Sequence, residues 1–116
     1  LHANQPITVF GNGSSSRDYT YITDTVAGVI ACTEQEFGYE IINLGESETV
    51  DLNRLIELLE TALGTQADII HQPEQPGDVP ITYANIEKAQ RLLGYHPKTK
   101  IEDGIPKFVE WFLQQQ

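Results

Sequence analysis

The chain has 116 residues, 40% of them hydrophobic, enough for one domain with a modest core and too many for a disordered segment. Seventeen acidic residues against seven basic ones give a formal charge of −10, which repels nucleic acid and anionic membranes at long range and leaves any phosphate ligand to be held by local donors. No run approaches the ~18 apolar residues of a membrane span and the start has no signal-peptide pattern, so the cytoplasm is the expected compartment. The single Cys32, beside Val26-Ala27-Gly28-Val29-Ile30-Ala31, has no internal partner and is expected to pack as a small hydrophobe. No methionine occurs, and the opening Leu1-His2-Ala3-Asn4-Gln5 reads like the interior of a longer protein.

In chain order, Ile7-Thr8-Val9-Phe10 after Pro6 predicts a short strand, and residues 19–22 predict a second. Thr23 or Asp24 then caps a helix in which Val26, Val29 and Ile30 fall at helical spacing, running to about Glu36 and stopped by Gly38. A third strand is expected over 40–44. Asp51 caps the next helix, whose apolar stripe is Leu52, Leu55, Ile56, Leu59 and Leu63, with Gly64 at its end. Residues 67–71 predict a fourth strand, and the proline-rich 72–80 a loop. After a brief pairing at Thr82-Tyr83, Asn85 caps a short helix that buries Ile86, Ala89, Leu92 and Leu93 and stops at Gly94. The last helix starts at Ile101 or Glu102 and ends at Gln114. It is expected to bury Ile105, Phe108, Val109 and Phe112, with Trp111 in the same core, and to carry Pro106 in its first turn. The sum is an α/β layer of short mixed strands and about four helices over residues 1–116.

One segment carries candidate chemistry. In Gly11-Asn12-Gly13-Ser14-Ser15-Ser16-Arg17, small residues let backbone N–H groups face an anion, and Arg17 adds a planar fork that matches a phosphate. Farther on come Asn43-Leu44-Gly45, Pro76-Gly77-Asp78-Val79-Pro80, Tyr83-Ala84-Asn85-Ile86-Glu87-Lys88-Ala89, and Leu92-Leu93-Gly94-Tyr95. In that order and spacing these segments resemble the C-terminal, substrate-binding part of the extended short-chain dehydrogenase/reductase family. Within it they are most similar to NAD-dependent nucleotide-sugar 4-epimerases, especially those acting on UDP-glucuronate or UDP-galacturonate.

The resemblance implies roles for individual residues. Arg17 would contact the diphosphate, with Tyr19 as the aromatic near it. Thr8 and Phe10 would offer backbone groups to the uracil, and Asp78 would accept from the ribose hydroxyls. Gln75 stands where many relatives have a second arginine, which weakens the diphosphate grip. Asn85 and Asp24 match acidic positions of the family, but helix capping accounts for both. The resemblance also implies NAD in the intact enzyme, which would oxidise the sugar C4 hydroxyl and return hydride to the other face. The helix after Thr23 and strand 40–44 would pack on a cofactor-binding Rossmann half that this sequence lacks.

The family's catalytic tyrosine has a lysine four residues later, and none of Tyr19, Tyr21, Tyr39, Tyr83 or Tyr95 has one. The Gly-rich turn does not open a helix as a dinucleotide site requires. The chain is therefore expected to bind no NAD and to be inactive alone, with a UDP-sugar, the Rossmann half and further copies of itself as partners. His2, His71 and His96 have no ligand-spaced companions for a metal. A 4,6-dehydratase or reductase of the same superfamily, and a non-catalytic interaction module, are the alternatives.

Overall fold

In a computed structural model that describes residues 1–3 and 5–115, the first strand lies where the alternation of Ile7-Thr8-Val9-Phe10 predicts it. Asn4 of the opening segment and Gln116 of the glutamine tail lie outside the described residues. The strand β1 (Ile7–Phe10) pairs in parallel with β4 (Ile69–Gln72), Ile7 opposite Ile69 and Phe10 opposite Gln72. Val9 points into the core and is almost wholly buried. A second pair, β2 (Ser16–Arg17) with β3 (Val50–Asp51), is antiparallel, Arg17 lying opposite Val50. The expected strand over 19–22 is replaced by this shorter one, because at Asp18 the chain leaves the ladder and Ile22 already begins a helix.

That helix, α1 (Ile22–Thr33), has Tyr21 at its N-cap without a side-chain bond. Asp24, expected as a cap, sits inside the first turn and accepts the Thr99 N–H at 2.9 Å. Burial raises the Asp24 pKa, but donors from Thr99 and Lys98 and the Lys98 charge outweigh it and hold the carboxyl below its ordinary value. The helix ends at Thr33, before Glu36 and Gly38.

Its inner face consists of Asp24 and Gly28, while Val26, Val29 and Ile30 are 44%, 51% and 52% exposed. The apolar side of α1 thus turns away from the rest of the chain. The expected strand over 40–44 does not form a ladder, since no neighbouring strand among the described residues meets it.

The remaining helices follow their local signals. α2 (Leu52–Leu63) starts on Asp51, whose carboxylate accepts the Arg54 N–H at 2.8 Å, and ends at Gly64 with φ of +65°. α3 (Glu87–Leu93) ends at Gly94 with φ of +63°. Asn85 lies just before it, and its side-chain oxygen accepts the Glu87 N–H at 3.0 Å. α4 (Ile101–Gln114) carries Pro106 in its second turn, not its first, so the Glu102 carbonyl has no i+4 amide donor.

Helix α4 packs on α2, and α3 packs on α1. Buried Ile86, Ala89 and Tyr95 gather Ile42, Leu44, Ala84 and Leu93 around them, and the Tyr95 hydroxyl donates to the Gly45 carbonyl at 3.1 Å. On α4, Val109 is buried, whereas Phe108 and Trp111 are 46% and 56% exposed. The expectation that both aromatics lie in the core is corrected: they sit outside the stripe that meets α2 and line an open cleft with Tyr21, Ile22 and Lys107.

Candidate functional site

Arg17 ends β2 with its guanidinium fixed at two points. One nitrogen donates to the Ser16 carbonyl at 2.8 Å and the other meets Asp78 at 2.6 Å. The contact joins residues 61 apart in sequence. It forms because Ser16 donates its N–H to the Pro80 carbonyl and accepts from Thr82, which stitches the end of the proline-rich loop to β2. Within that loop the Gln75 carbonyl accepts the Asp78 N–H at 3.1 Å around Pro76-Gly77, and Gly77 has φ of +88°. This is the backbone of a type II turn, for which Pro and Gly are the favoured central pair. The turn projects Asp78 toward Arg17.

Two clefts meet at this ion pair. Asp78 lines one of about 250 Å³ with Phe10, the turn 11–15, Glu74, Val79 and Pro80. Arg17 lines a second, of about 520 Å³, with Asp18, Thr20, residues 42–45 and 82–84.

The strand β1 presents an open edge beside the first cleft. The Ile7 and Gly11 N–H groups donate to the Asp68 and Gln72 carbonyls at 2.8 Å. The alternation of a strand therefore turns the backbone groups of Thr8 and Phe10 to the opposite edge, which pairs with no strand among the described residues.

Half of the Gly/Ser turn's amides are taken by the chain itself: the Gly11 N–H donates to the Gln72 carbonyl, Ser14 N–H to the Asn12 side chain at 3.0 Å, and Ser16 N–H to Pro80, which leaves those of Asn12, Gly13 and Ser15 to face an anion. Asn53 closes the turn from α2, donating its backbone N–H to Gly13 and its side-chain N–H to the Asn12 carbonyl. The glycines serve this packing. Gly13 has φ of +78°, and a Cβ there would fall 2.0 Å from the Asn53 side-chain oxygen.

The other candidates are spread around the pair. Tyr19 lines a separate apolar cleft of about 340 Å³ between the start of α1 and α4. Burial raises its phenol pKa, the Arg17 charge lowers it and Asp51 raises it again, with a net rise. Gln75 is exposed and enters the site through its carbonyl.

The residue that sequence reasoning missed is Asp18. One of its carboxylate oxygens accepts the Glu46 N–H at 2.8 Å and the Thr20 hydroxyl at 3.3 Å; the other accepts the Ser47 and Ala84 N–H groups at 3.0 and 3.1 Å. It ties the Gly45 loop and the Tyr83-Ala84 segment to the strand that carries Arg17. An acid directly after a candidate phosphate-binding arginine was the available signal, because a charge with no ligand role there needs local donors.

Comparison with known proteins bears on this geometry. The profile of the GDP-mannose 4,6 dehydratase family matches residues 1–108. The chain belongs to this family of NAD-dependent nucleotide-sugar epimerases and dehydratases. A UDP-glucuronate 4-epimerase of Thermodesulfobacterium geofontis is 39% identical over 112 residues, 96% of this chain and 34% of the relative. The UDP-glucuronic acid 4-epimerase of Bacillus cereus, solved with UDP-glucuronic acid and NAD, superposes with a TM-score of 0.88 at 33% identity over 98% of this chain and 37% of that one. The UDP-glucose 4-epimerase of Thermotoga maritima, solved with UDP-glucose, gives 0.89 at 29% identity over 98% and 37%.

This member spans about a third of the length of the relatives it matches, and its likeness is to their C-terminal part. The described residues do not fit a dinucleotide. A pyrophosphate needs a Gly-rich turn that leads from a strand into a helix, whereas Gly11-Asn12-Gly13 leads from β1 to β2.

Proposed function

We infer that this chain holds the nucleotide of a UDP-sugar, with UDP-glucuronate or UDP-galacturonate as the preferred sugar, for a longer 4-epimerase that carries NAD. The observation that bears most weight is the 2.6 Å meeting of Arg17 with Asp78. It sets Arg17, whose fork suits a phosphate, beside Asp78, whose carboxylate suits a diol, and both are close to the open backbone edge of Thr8 and Phe10. A base read by strand amides, a ribose held by a carboxylate and a diphosphate held by a guanidinium form one continuous ligand. Tyr19 and Gln75 would border it.

The chain by itself is inactive in this reading, since it has no tyrosine–lysine pair and no dinucleotide site. Its partner is the cofactor-bearing half of the longer enzyme. That half would cover the outward apolar face of α1 and the exposed Phe37, Tyr39 and Ile41 after it. Segment 40–44 would gain a neighbouring strand there.

Calorimetric titration of UDP-glucuronate into the chain tests the site. Removing a charge-assisted contact worth about 1.5–3 kcal/mol makes Arg17→Ala bind roughly ten- to a hundredfold more weakly. Arg17→Lys recovers part of the loss, because lysine keeps the charge without the planar fork. Unchanged affinity in the alanine variant would remove Arg17 from the site.

The description of the matching family supports one rival, a 4,6-dehydratase. A uronate has a carboxylate at C6 and no C6 hydroxyl to eliminate. Turnover of UDP-glucuronate by the longer protein therefore favours epimerisation, and loss of water from a nucleotide hexose favours the rival.

A further inference from the structure

The carboxylate assigned to the ribose is bonded to the guanidinium assigned to the diphosphate. The contact uses one Arg17 nitrogen and one Asp78 oxygen, so while it lasts each group offers a ligand only part of its hydrogen-bonding capacity. A diphosphate seated on Arg17 would lie within reach of the Asp78 charge, with Glu74 adding a second negative charge to the same cleft. We propose that the Arg17–Asp78 ion pair is an exchange latch that makes the site selective for nucleoside diphosphates over bare diphosphates. An incoming diphosphate takes Arg17 from Asp78, and the released carboxylate turns to the ribose diol. The proposal rests on the nucleotide-sugar reading of the site.

Three features of the pair suit exchange. It is accessible, with the Arg17 and Asp78 side chains 29% and 50% exposed, so the contact is weak enough to give up. Its halves are held unequally: Arg17 keeps a second bond to the Ser16 carbonyl on β2, while Asp78 rides on the exposed Pro76-Gly77 turn. The guanidinium can therefore stay in place while the carboxylate swings. Finally, Asp78 lines one cleft and Arg17 the other, so opening the pair joins them into a longer groove.

The selectivity follows from what each ligand returns. Inorganic pyrophosphate breaks the ion pair and leaves Asp78 without a partner beside added negative charge. A nucleoside diphosphate supplies two ribose hydroxyls, both donors to a carboxylate. The latch thus penalises anions that bring charge without a sugar.

Calorimetry with inorganic pyrophosphate and with UDP tests this on the wild-type chain, Asp78→Asn, Asp78→Ala, Glu74→Gln, Arg17→Ala and the Arg17→Ala/Asp78→Asn double variant. The expected result is that Asp78→Asn binds pyrophosphate about two- to fivefold more tightly, the reach of an exposed ion pair, while its preference for UDP over pyrophosphate falls. Asp78→Ala shifts in the same direction, and Glu74→Gln, which removes a charge but leaves Arg17 paired, shifts less. The gain vanishes in the Arg17→Ala background.

Pyrophosphate affinity that is unchanged or weaker in Asp78→Asn overturns the latch. So does a gain that persists without Arg17. If Arg17→Ala still loses UDP in those cases, the site reading survives them. If Arg17→Ala binds UDP like the wild type, both fall together.

Discussion

At the scale of single residues, Asp18 and Arg17 are adjacent in sequence and opposite in role. Arg17 faces the larger cleft and Asp78, whereas Asp18 gives its charge to the chain's own donors, the Glu46, Ser47 and Ala84 N–H groups and the Thr20 hydroxyl. Asp18→Ala leaves three backbone donors to find water or new partners. The expected cost is about 3 kcal/mol, the scale of losing bonds to a charged acceptor, and a fall in melting temperature on the order of 10 °C. Thermal unfolding followed by circular dichroism checks it, and a shift below about 2 °C would show that the carboxylate does not organise this region.

Arg17 is a candidate on local grounds, a planar fork behind a Gly/Ser turn. Asp18 is not, since its three amide donors lie 28 to 66 residues away and no local pattern announces them. Two amides of the Gly/Ser turn are taken in the same way, Gly11 and Ser16 donating to Gln72 and Pro80 from the second half of the chain.

At the scale of elements, local chemistry sufficed where both ends of a segment carry their own signals. Asp51 and Gly64 bracket α2, Gly94 ends α3, and Ile7–Phe10 forms its strand. It failed where the outcome depends on a neighbour. Segment 40–44 has strand composition but meets no strand among the described residues, and the Asp24 carboxylate, expected to cap α1, is taken by the Thr99 N–H. On α4 apolar spacing matches burial at Val109 and departs from it at Phe108 and Trp111. Apolar spacing marks a face without saying how wide a neighbour covers it.

The Gly45 loop shows how tightly the elements close on one another. A Cβ at Gly45 would lie 2.5 Å from the Ala84 Cβ and 2.8 Å from an Asp18 oxygen. Neither atom can rotate away, since one is fixed to the backbone and the other is held by two amides. Gly45→Ala is expected to destabilise the chain by about 1–3 kcal/mol, the usual cost of overpacking. Gly38→Ala, which opens on empty space, is the control and should be near neutral. Equal urea midpoints for the two variants would contradict the close packing of this loop.

At the scale of the whole molecule, the described chain is a slab of 49 × 36 × 19 Å with a radius of gyration of 16.7 Å. A compact domain of about this size has a radius near 13 Å. The flatness explains why the core is small and why Ile22, Val26, Val29, Ile30, Tyr39 and Ile41 are all more than 40% exposed. Apolar patches of several hundred Å² seldom stay solvated on a monomer. The chain alone is therefore expected to self-associate despite its charge of −10, and Val26→Ser/Ile30→Glu is expected to shift it toward monomer. Sedimentation velocity reads this directly; a wild-type chain that stays monomeric at high concentration would show that the outward face of α1 needs no cover.

In the proposed site the ligand lies along the open edge of β1, the Arg17–Asp78 pair and the loop that carries Asp78. The most direct measurement is a titration of the isotopically labelled chain with UDP-glucuronate, followed through its amide resonances. Saturable shifts are expected at Thr8 to Arg17 and Gln75 to Val79, with the outward face of α1 unmoved. Shifts confined to α1 and residues 37–41, or none at ligand excess, would contradict it.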